Sequence, residues 1–197
     1  TGRDILWRIG LDGFSESPYK EDDKKNPTGI YGRTKLEGEN KIISSGCKFF
    51  IIRTSWVFSE NGKNFLKTIL DIAKRKDSIS IVSDQIGAPT FSDDISNAIK
   101  VILTHTPQDN YINEIFHYSG APFCSWYEFA QNIINIAIED DFLKRKPEIN
   151  KISTKDFPTL AKRPVNSRLS SEKILKRFDI KPSDWMSGIR KVLTSLK

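Results

Sequence analysis

The segment that most restricts the fold of this chain is the apolar run FFII at residues 49–52, which follows one stretch of helical character and precedes another. A run this short, built from Phe and Ile, is typical of a strand buried on both faces of a parallel sheet. Residues 64–76 carry apolar side chains at helical spacing, and the same holds for 92–102, 125–138, 171–178 and 184–196. With strand-like runs at 79–82 and 114–117, this alternation predicts an α/β fold with a largely parallel sheet.

Helix boundaries are predicted from capping residues. Asn26 and Pro27 suit the N-cap and first position of a helix through residues 30–43, which Gly46 can end. Ser125 and Glu128 have the spacing of a capping box. We therefore expect a helix from each of these points, and a third with Ser92 as its cap.

Composition narrows the classes of protein. The chain has 38% hydrophobic and 28% charged residues, a net charge of +6, two Cys and two His. No apolar run reaches the roughly 18 residues that span a bilayer, and no signal peptide is recognisable. The basic residues are scattered, so we expect no nucleic-acid partner. The few Cys and His residues predict free thiols and no zinc site. Without an apolar run or a signal peptide, we expect no membrane partner and a cytoplasmic location.

Tyr31 and Lys35 form the pattern that points to chemistry. Residues four apart share a helix face, so both side chains can reach one site. A nearby ammonium favours the phenolate form of a tyrosine, which makes the phenol a usable proton donor while the lysine holds a ribose hydroxyl. Alone the pattern is weak, because a surface Tyr and Lys on an amphipathic helix give the same spacing.

The surrounding sequence resembles the dTDP-4-dehydrorhamnose reductase family of extended short-chain dehydrogenases/reductases. The similar segments occur in the family's order: PYKEDD at 18–23 leading to YGRTKLEGE at 31–39, RTSWVF at 53–58 with NF at 64–65, DQIGAPT at 84–90, HYSG at 117–120 and RPVNS at 163–167. Together they are far more specific than Tyr31 and Lys35 alone.

The resemblance implies roles for five residues. Tyr31 would donate the proton and, with Lys35, contact the nicotinamide ribose. Trp56 would pack against the deoxysugar, with a core or rim tryptophan as the alternative. Asn64 and Arg163 would contact the nucleotide's diphosphate, since amides and guanidinium groups suit phosphate oxygens, and a helix cap or surface ion pair is the alternative.

Three further residues have open roles. Asp84 and Gln85 either contact ligand or brace the turn at 87–90. His117 fits the end of a strand better than a catalytic role.

The resemblance also implies a fold class: an incomplete doubly wound (Rossmann-like) parallel sheet with a small mixed or helical C-terminal substrate lobe. Residues 1–120 would form the C-terminal part of the NAD(P)-binding domain and 121–197 the substrate lobe, with their strands interleaved. The Gly-rich loop of that fold is absent from the sequence. Where the family has an STDYVFDG-like strand, residues 4–13 read DILWRIGLDG. We therefore expect an inactive fragment that lacks the first βαβ units and the third catalytic hydroxyl.

The function implied is NADPH-dependent reduction of dTDP-4-dehydro-6-deoxy-L-mannose to dTDP-L-rhamnose. The sequence leaves NADH, a Mg²⁺ requirement and a homodimer open. A different nucleotide-sugar epimerase or dehydratase would use the same Tyr31 and Lys35. A non-catalytic binding protein, like the reductase-related regulatory subunit of methionine adenosyltransferase, is the alternative from another class.

Overall fold

The second strand of the chain, β2, lies in the middle of a three-stranded parallel sheet. The structure is a computed structural model, and it describes residues 3–7, 13, 15–27, 29–106, 113–157 and 163–197. The described helices are α1 Ile30–Ser44, α2 Phe65–Arg75, α3 Ser92–His105, α4 Trp126–Glu139, α5 Glu172–Phe178 and α6 Trp185–Ser195. The described strands are β1 Arg3–Trp7, β2 Phe49–Arg53, β3 Val57–Phe58, β4 Ser78–Val82, β5 Ile86–Gly87, β6 Thr90–Phe91, β7 Glu114–His117, β8 Gly120–Ala121, β9 Cys124–Ser125, β10 Glu148–Ile152 and β11 Ser183–Asp184.

The three-stranded sheet has the order β1-β2-β7, with both neighbours parallel to β2. All five residues of β2 are buried, as the apolar run predicts. Phe50 and Ile52 pack with α3 and α5 in one core, which contains Ile95 and Ile174. The predicted α/β class with a Rossmann-like parallel sheet is confirmed.

A second core lies beside this sheet. It joins α2, α4 and α6 with strands β3, β4 and β6, and its largest fully buried side chain is Trp185. Strand β4 pairs with β10 in a parallel two-stranded sheet. This core uses residues on both sides of position 120, where the sequence places a domain boundary, and that boundary stays a prediction.

Several helix predictions are confirmed, and the predicted start of α1 is wrong. Helix α4 begins with the capping box of Ser125 and Glu128. Helix α1, however, begins at Ile30 with Gly29 as N-cap, so Asn26 and Pro27 do not start it. The loop that leads to the helix makes long-range hydrogen bonds, such as that from the Tyr19 N–H to the carbonyl of residue 168.

The other two predicted boundaries are close to the observed ones. Ser92 is the first residue of α3 rather than its cap. Helix α1 ends at Ser44, and Gly46 follows with a left-handed φ of 70° that turns the chain towards β2. Among the described helices, none combines the length and apolar character needed to cross a bilayer.

Candidate active site

The carboxyl edge of the three-stranded sheet brings together the helix with the Tyr–Lys pair and the loop with Trp56. Because α1 connects the parallel strands β1 and β2, it runs back against them, and its first turn lies at their carboxyl ends. Tyr31 is the second residue of α1, and Trp56 follows β2 by three residues. Ligands of open α/β sheets bind at this edge.

Tyr31 and Lys35 lie together on α1. The Lys35 ammonium is 5.1 Å from the centroid of the Tyr31 ring. The tyrosine is 58% exposed, so its phenol is accessible to a ligand. The pair therefore offers a hydroxyl donor and a cation side by side at the open edge of the sheet.

The same face of α1 is held by a buried ion pair. Glu39 lies four residues after Lys35, and its two carboxylate oxygens accept hydrogen bonds from Arg53 Nε at 3.0 Å and Nη2 at 2.8 Å. Both side chains are fully buried, and Arg53 is the last residue of β2. Because Glu39 lies on α1 four residues after Lys35, this contact fixes the neighbouring side of α1 against the end of β2.

This ion pair was not predicted from the sequence, although a signal exists. A charged residue that ends a fully apolar strand, as Arg53 does, needs a buried partner of opposite charge. The Glu39 position, in register with Tyr31 and Lys35, provides that partner.

His117 extends the network to the preceding loop. Its Nε2 lies 3.2 Å from Arg53 Nη1, and its Nδ1 lies 3.0 Å from the carbonyl oxygen of Tyr19. Arginine only donates and a carbonyl only accepts, so these partners assign a neutral ring with its proton on Nδ1. Burial, followed by the charge of Arg53, lowers the pKa of His117 to about 3. As the last residue of β7, His117 ends a strand as expected and holds no exchangeable charge at neutral pH.

Glu21 ties the same loop to both strands. Its carboxylate accepts a hydrogen bond of 2.7 Å from the backbone N–H of His117, and its carbonyl accepts one of 3.2 Å from Arg53 Nη1. The loop before α1 is thus fixed to the carboxyl ends of β2 and β7.

Trp56 is buried rather than presented to solvent. It is 5% exposed, and its ring stacks on Trp126 with a centroid distance of 3.6 Å and an interplanar angle of 10°. Its backbone has a φ of 47°, a left-handed conformation that is rare for a bulky residue. Gly87 packs so closely that a Cβ there would lie 2.5 Å from the Trp56 ring. The predicted contact of Trp56 with a deoxysugar stays a prediction.

Asn64 and Arg163 do not meet in any described contact. Asn64 is the N-cap of α2: its Oδ1 accepts from the Lys67 N–H at 3.1 Å, and its Nδ2 donates to the Ser59 carbonyl at 2.7 Å. Arg163 is exposed. The diphosphate contacts expected of both residues stay predictions.

Asp84 and Gln85 both hydrogen-bond to Thr154, as expected if they brace the turn that follows them, and contact with a ligand stays the alternative prediction. Thr154 donates to the Asp84 carboxylate from its N–H at 2.9 Å and from its hydroxyl at 2.6 Å. Gln85 Nε2 donates to the same Thr154 hydroxyl at 3.0 Å. Although desolvation acts in the opposite direction, the Thr154 hydrogen bonds lower the pKa of Asp84.

Among the described residues, one buried polar atom at this edge has no hydrogen-bond partner. The hydroxyl of Thr54, the residue after β2, is buried and makes no hydrogen bond with the part of the chain that the structure describes. Within that same part, no three His, Cys, Asp or Glu side chains are grouped so as to hold a metal ion. Cys47 and Cys124 are free thiols, the first exposed and the second buried.

A parallel sheet with a Tyr-x-x-x-Lys helix at its carboxyl edge defines the class: a Rossmann-like fold of the short-chain dehydrogenase/reductase type. Within that class, residues 11–197 match the model of the RmlD substrate binding domain, and the chain belongs to that family. The family resemblance drawn from the ordered segments is confirmed.

Individual relatives are similar to this chain over most of its length. The chain is 42% identical to the dTDP-4-dehydrorhamnose reductase of Aggregatibacter actinomycetemcomitans over 187 residues, which cover 92% of this chain and 62% of the relative. It is 36% identical to the Bacillus subtilis spore coat polysaccharide biosynthesis protein SpsK over 93% of this chain and 60% of the relative. The chain thus spans about three fifths of the length of these curated relatives.

Two crystal structures of dTDP-4-dehydrorhamnose reductases superpose closely. The one from Clostridium acetobutylicum gives a TM-score of 0.85 at 30% identity, covering 99% of this chain and 65% of that chain. The one from Bacillus anthracis, a complex with NADP, gives a TM-score of 0.84 at 30% identity, covering 96% of this chain and 65% of that chain.

Proposed function

We propose that this chain is the substrate-binding and proton-donating part of a reductase that converts dTDP-4-dehydro-6-deoxy-L-mannose to dTDP-L-rhamnose with NADPH. The observation that carries the proposal is the contact of the exposed Tyr31 with the partly buried Lys35 on α1, the helix that the buried Glu39–Arg53 ion pair joins to β2. Membership of the RmlD family and the NADP-bound Bacillus anthracis relative support it.

In the proposed reaction Tyr31 is the proton donor. Bound NADPH supplies the hydride that reaches C4 of the ketosugar. The Tyr31 hydroxyl gives its proton to the C4 oxygen, so that the ketone becomes a secondary alcohol. The Lys35 ammonium beside the ring stabilises the phenolate left behind and binds a ribose hydroxyl.

The residues present fit only part of the cofactor. A phenol and an ammonium suit the nicotinamide ribose, but the sequence has no Gly-rich loop for the diphosphate. Residues 1–120 are therefore proposed as the C-terminal part of the NAD(P)-binding domain and 121–197 as the substrate lobe. This chain alone is expected to show little or no reductase activity, and we propose neither a Mg²⁺ requirement nor a homodimer, both of which the sequence left open.

Fluorescence titration tests the cofactor part of the proposal. NADPH is added to the purified chain, with Tyr31→Phe and Lys35→Ala as variants and Lys41→Ala, on the last turn of the same helix, as a matched control. Weak binding that Lys35→Ala removes and Lys41→Ala retains is expected. Binding unchanged by Lys35→Ala would contradict the role of Lys35.

Turnover tests the reaction itself. When the chain is joined to the family's upstream Gly-rich segment, consumption of NADPH with the ketosugar is expected, together with dTDP-L-rhamnose as product. An epimerase or dehydratase would change the sugar without net consumption of NADPH. A non-catalytic binding protein would bind ligand but would neither change the sugar nor consume NADPH.

A further inference from the structure

A groove of about 590 Å³ lies between α3, α6 and the segment that joins α5 to α6. Its lining comes from residues 94–105, 178–184 and 187–191, together with Tyr118, the residue after β7. The volume is within the range of small-molecule sites. None of the residues assigned to the proposed reaction lines the groove, so a ligand here would be distinct from the nucleotide sugar and the cofactor.

The Tyr118 hydroxyl is a polar group in this groove without a protein partner. The side chain is 3% exposed, and among the described residues no hydrogen bond reaches its oxygen. Thr54 carries the one side-chain polar atom in the described part of the chain that is both fully enclosed and without a partner, so the Tyr118 oxygen is not enclosed. Because Tyr118 lines the groove, its hydroxyl opens into it. A polar group in this position gains free energy from a ligand that hydrogen-bonds to it.

Asp94, on the first turn of α3, provides a carboxylate to the same groove. Ser183 Oγ donates to Asp94 Oδ2 at 2.6 Å, and within the described residues no other hydrogen bond or ion pair reaches this carboxylate. Burial, followed by the charge of Asp94, raises the pKa of Tyr118, so the two groups interact and the phenol keeps its proton at neutral pH. Asp94 Oδ1 and the phenol oxygen are thus two acceptors available to one positively charged donor.

The rest of the lining restricts the ligand further. Part of it is apolar, formed by Ala98, Val101, Phe178 and Ile180. Three carboxylates line the groove against two ammonium groups, namely Asp94, Asp179 and Asp184 against Lys181 and Lys191. The Lys191 ammonium already lies 5.6 Å from the centroid of the Phe91 ring. A small cation with an aliphatic body matches both the excess of carboxylates and the apolar walls.

We propose that this groove binds a small aliphatic diamine, one ammonium group of which lies between the Asp94 carboxylate and the Tyr118 hydroxyl. An ammonium group has three donors and no acceptor, so it can give one hydrogen bond to each of these oxygens. The methylene chain packs on the apolar walls. The second ammonium group lies at the rim of the groove, where the carboxylates of Asp179 and Asp184 are exposed.

Isothermal titration of the purified chain with 1,4-diaminobutane tests this site. Tyr118→Phe keeps the ring and removes only the hydroxyl, and Asp94→Asn keeps the shape and removes only the charge. Each substitution is expected to weaken binding about tenfold, the scale of one hydrogen bond to a charged group. The matched control is Asp93→Asn, which makes the same change of charge at an exposed neighbour outside the groove lining and should leave the affinity within about twofold.

Nuclear magnetic resonance gives a second measurement on the native chain. The chain has five tyrosines, which can be labelled with ¹³C at Cζ, and comparison with Tyr118→Phe assigns the Tyr118 signal. Saturating 1,4-diaminobutane should shift this signal. The uncharged 1,4-butanediol, with the same carbon chain, should not.

Several outcomes would overturn the inference. They are no binding of the diamine at millimolar concentration, equal binding of the diol, no shift of the Tyr118 signal, or an affinity that survives both substitutions in the groove. Equal weakening by Asp93→Asn and Asp94→Asn would also overturn it, because a general attraction for cations would then explain the binding. None of these results bears on the proposed function, and NADPH binding by Tyr118→Phe should match that of the native chain.

Discussion

Glu39 and Arg53 form a two-point ion pair in which both side chains are fully buried and both carboxylate oxygens are used. The pair joins the helix that carries Tyr31 and Lys35 to the central strand of the sheet. Lys25, at 3.7 Å from one carboxylate oxygen, adds a third charge to the cluster. The geometry of the candidate site therefore depends on two residues that need not touch a ligand.

Glu39→Ala is expected to destabilise the chain by about 3–5 kcal/mol, because it leaves the Arg53 guanidinium buried without its partner. Urea denaturation followed by circular dichroism measures the change. The control is Glu172→Ala, which removes the exposed pair with Lys176 and should cost less than about 0.5 kcal/mol. Equal effects of the two substitutions would contradict a structural role for the buried pair.

His117 is expected to make stability depend on pH. Its pKa is about 3 in the folded chain and about 6.5 when unfolded. The unfolded state therefore takes up a proton that the folded state does not, and stability falls as pH decreases below about 6.5. The expected slope approaches about 1.4 kcal/mol per pH unit.

Urea denaturation between pH 7 and pH 5, above the range where most carboxylates titrate, measures this slope. His117→Gln keeps a polar side chain but cannot titrate, so its curve should be flatter than that of the native chain. A slope that is the same in both would show that other groups cause the pH dependence.

Gly87→Ala is expected to cost about 1–3 kcal/mol, because the new Cβ would lie 2.5 Å from the Trp56 ring and the aromatic stack must shift. Near-ultraviolet circular dichroism should report the altered Trp56–Trp126 contact. Gly29→Ala, where a Cβ meets nothing within 4 Å, is the steric control and should leave that spectrum unchanged. A spectrum unchanged by Gly87→Ala would show that the stack does not depend on this close approach.

Thr54→Val is expected to be neutral or to stabilise the chain by up to about 1 kcal/mol, because it replaces a buried hydroxyl without a described partner by a methyl group. Thermal unfolding measures the effect. Ser55→Ala is the contrasting variant, since the Ser55 hydroxyl donates to the Ala88 carbonyl at 3.1 Å and its loss should destabilise. Marked destabilisation by Thr54→Val would reveal a bond to residues outside the described part.

Tyr31→Phe is expected to lower the turnover of the chain joined to the family's Gly-rich segment by about 100-fold or more, as for loss of a general acid. The melting temperature of the Tyr31→Phe variant should change little, because the Tyr31 side chain is 58% exposed. A pH–rate profile and single-turnover kinetics measure the loss in the chemical step. Turnover within a few-fold of the native rate would exclude Tyr31 as the proton donor.

The sequence by itself determined the elements whose signals are local. The FFII run is the buried centre of β2, the stripe at 64–76 is α2, and the capping box of Ser125 begins α4. It also placed Tyr31 and Lys35 on one face of α1. Periodicity, capping and i, i+4 spacing act within a few residues, so they can be read directly from the order of side chains.

Only the tertiary structure decided features that need a partner far along the chain. Such contacts include the pairing of β10 with β4 and the covering of Trp56 by Trp126. The same is true of His117, whose ring meets the carbonyl of Tyr19, 98 residues away in sequence. Burial and hydrogen bonding depend on which groups the fold brings together, and no local pattern of residues specifies those neighbours.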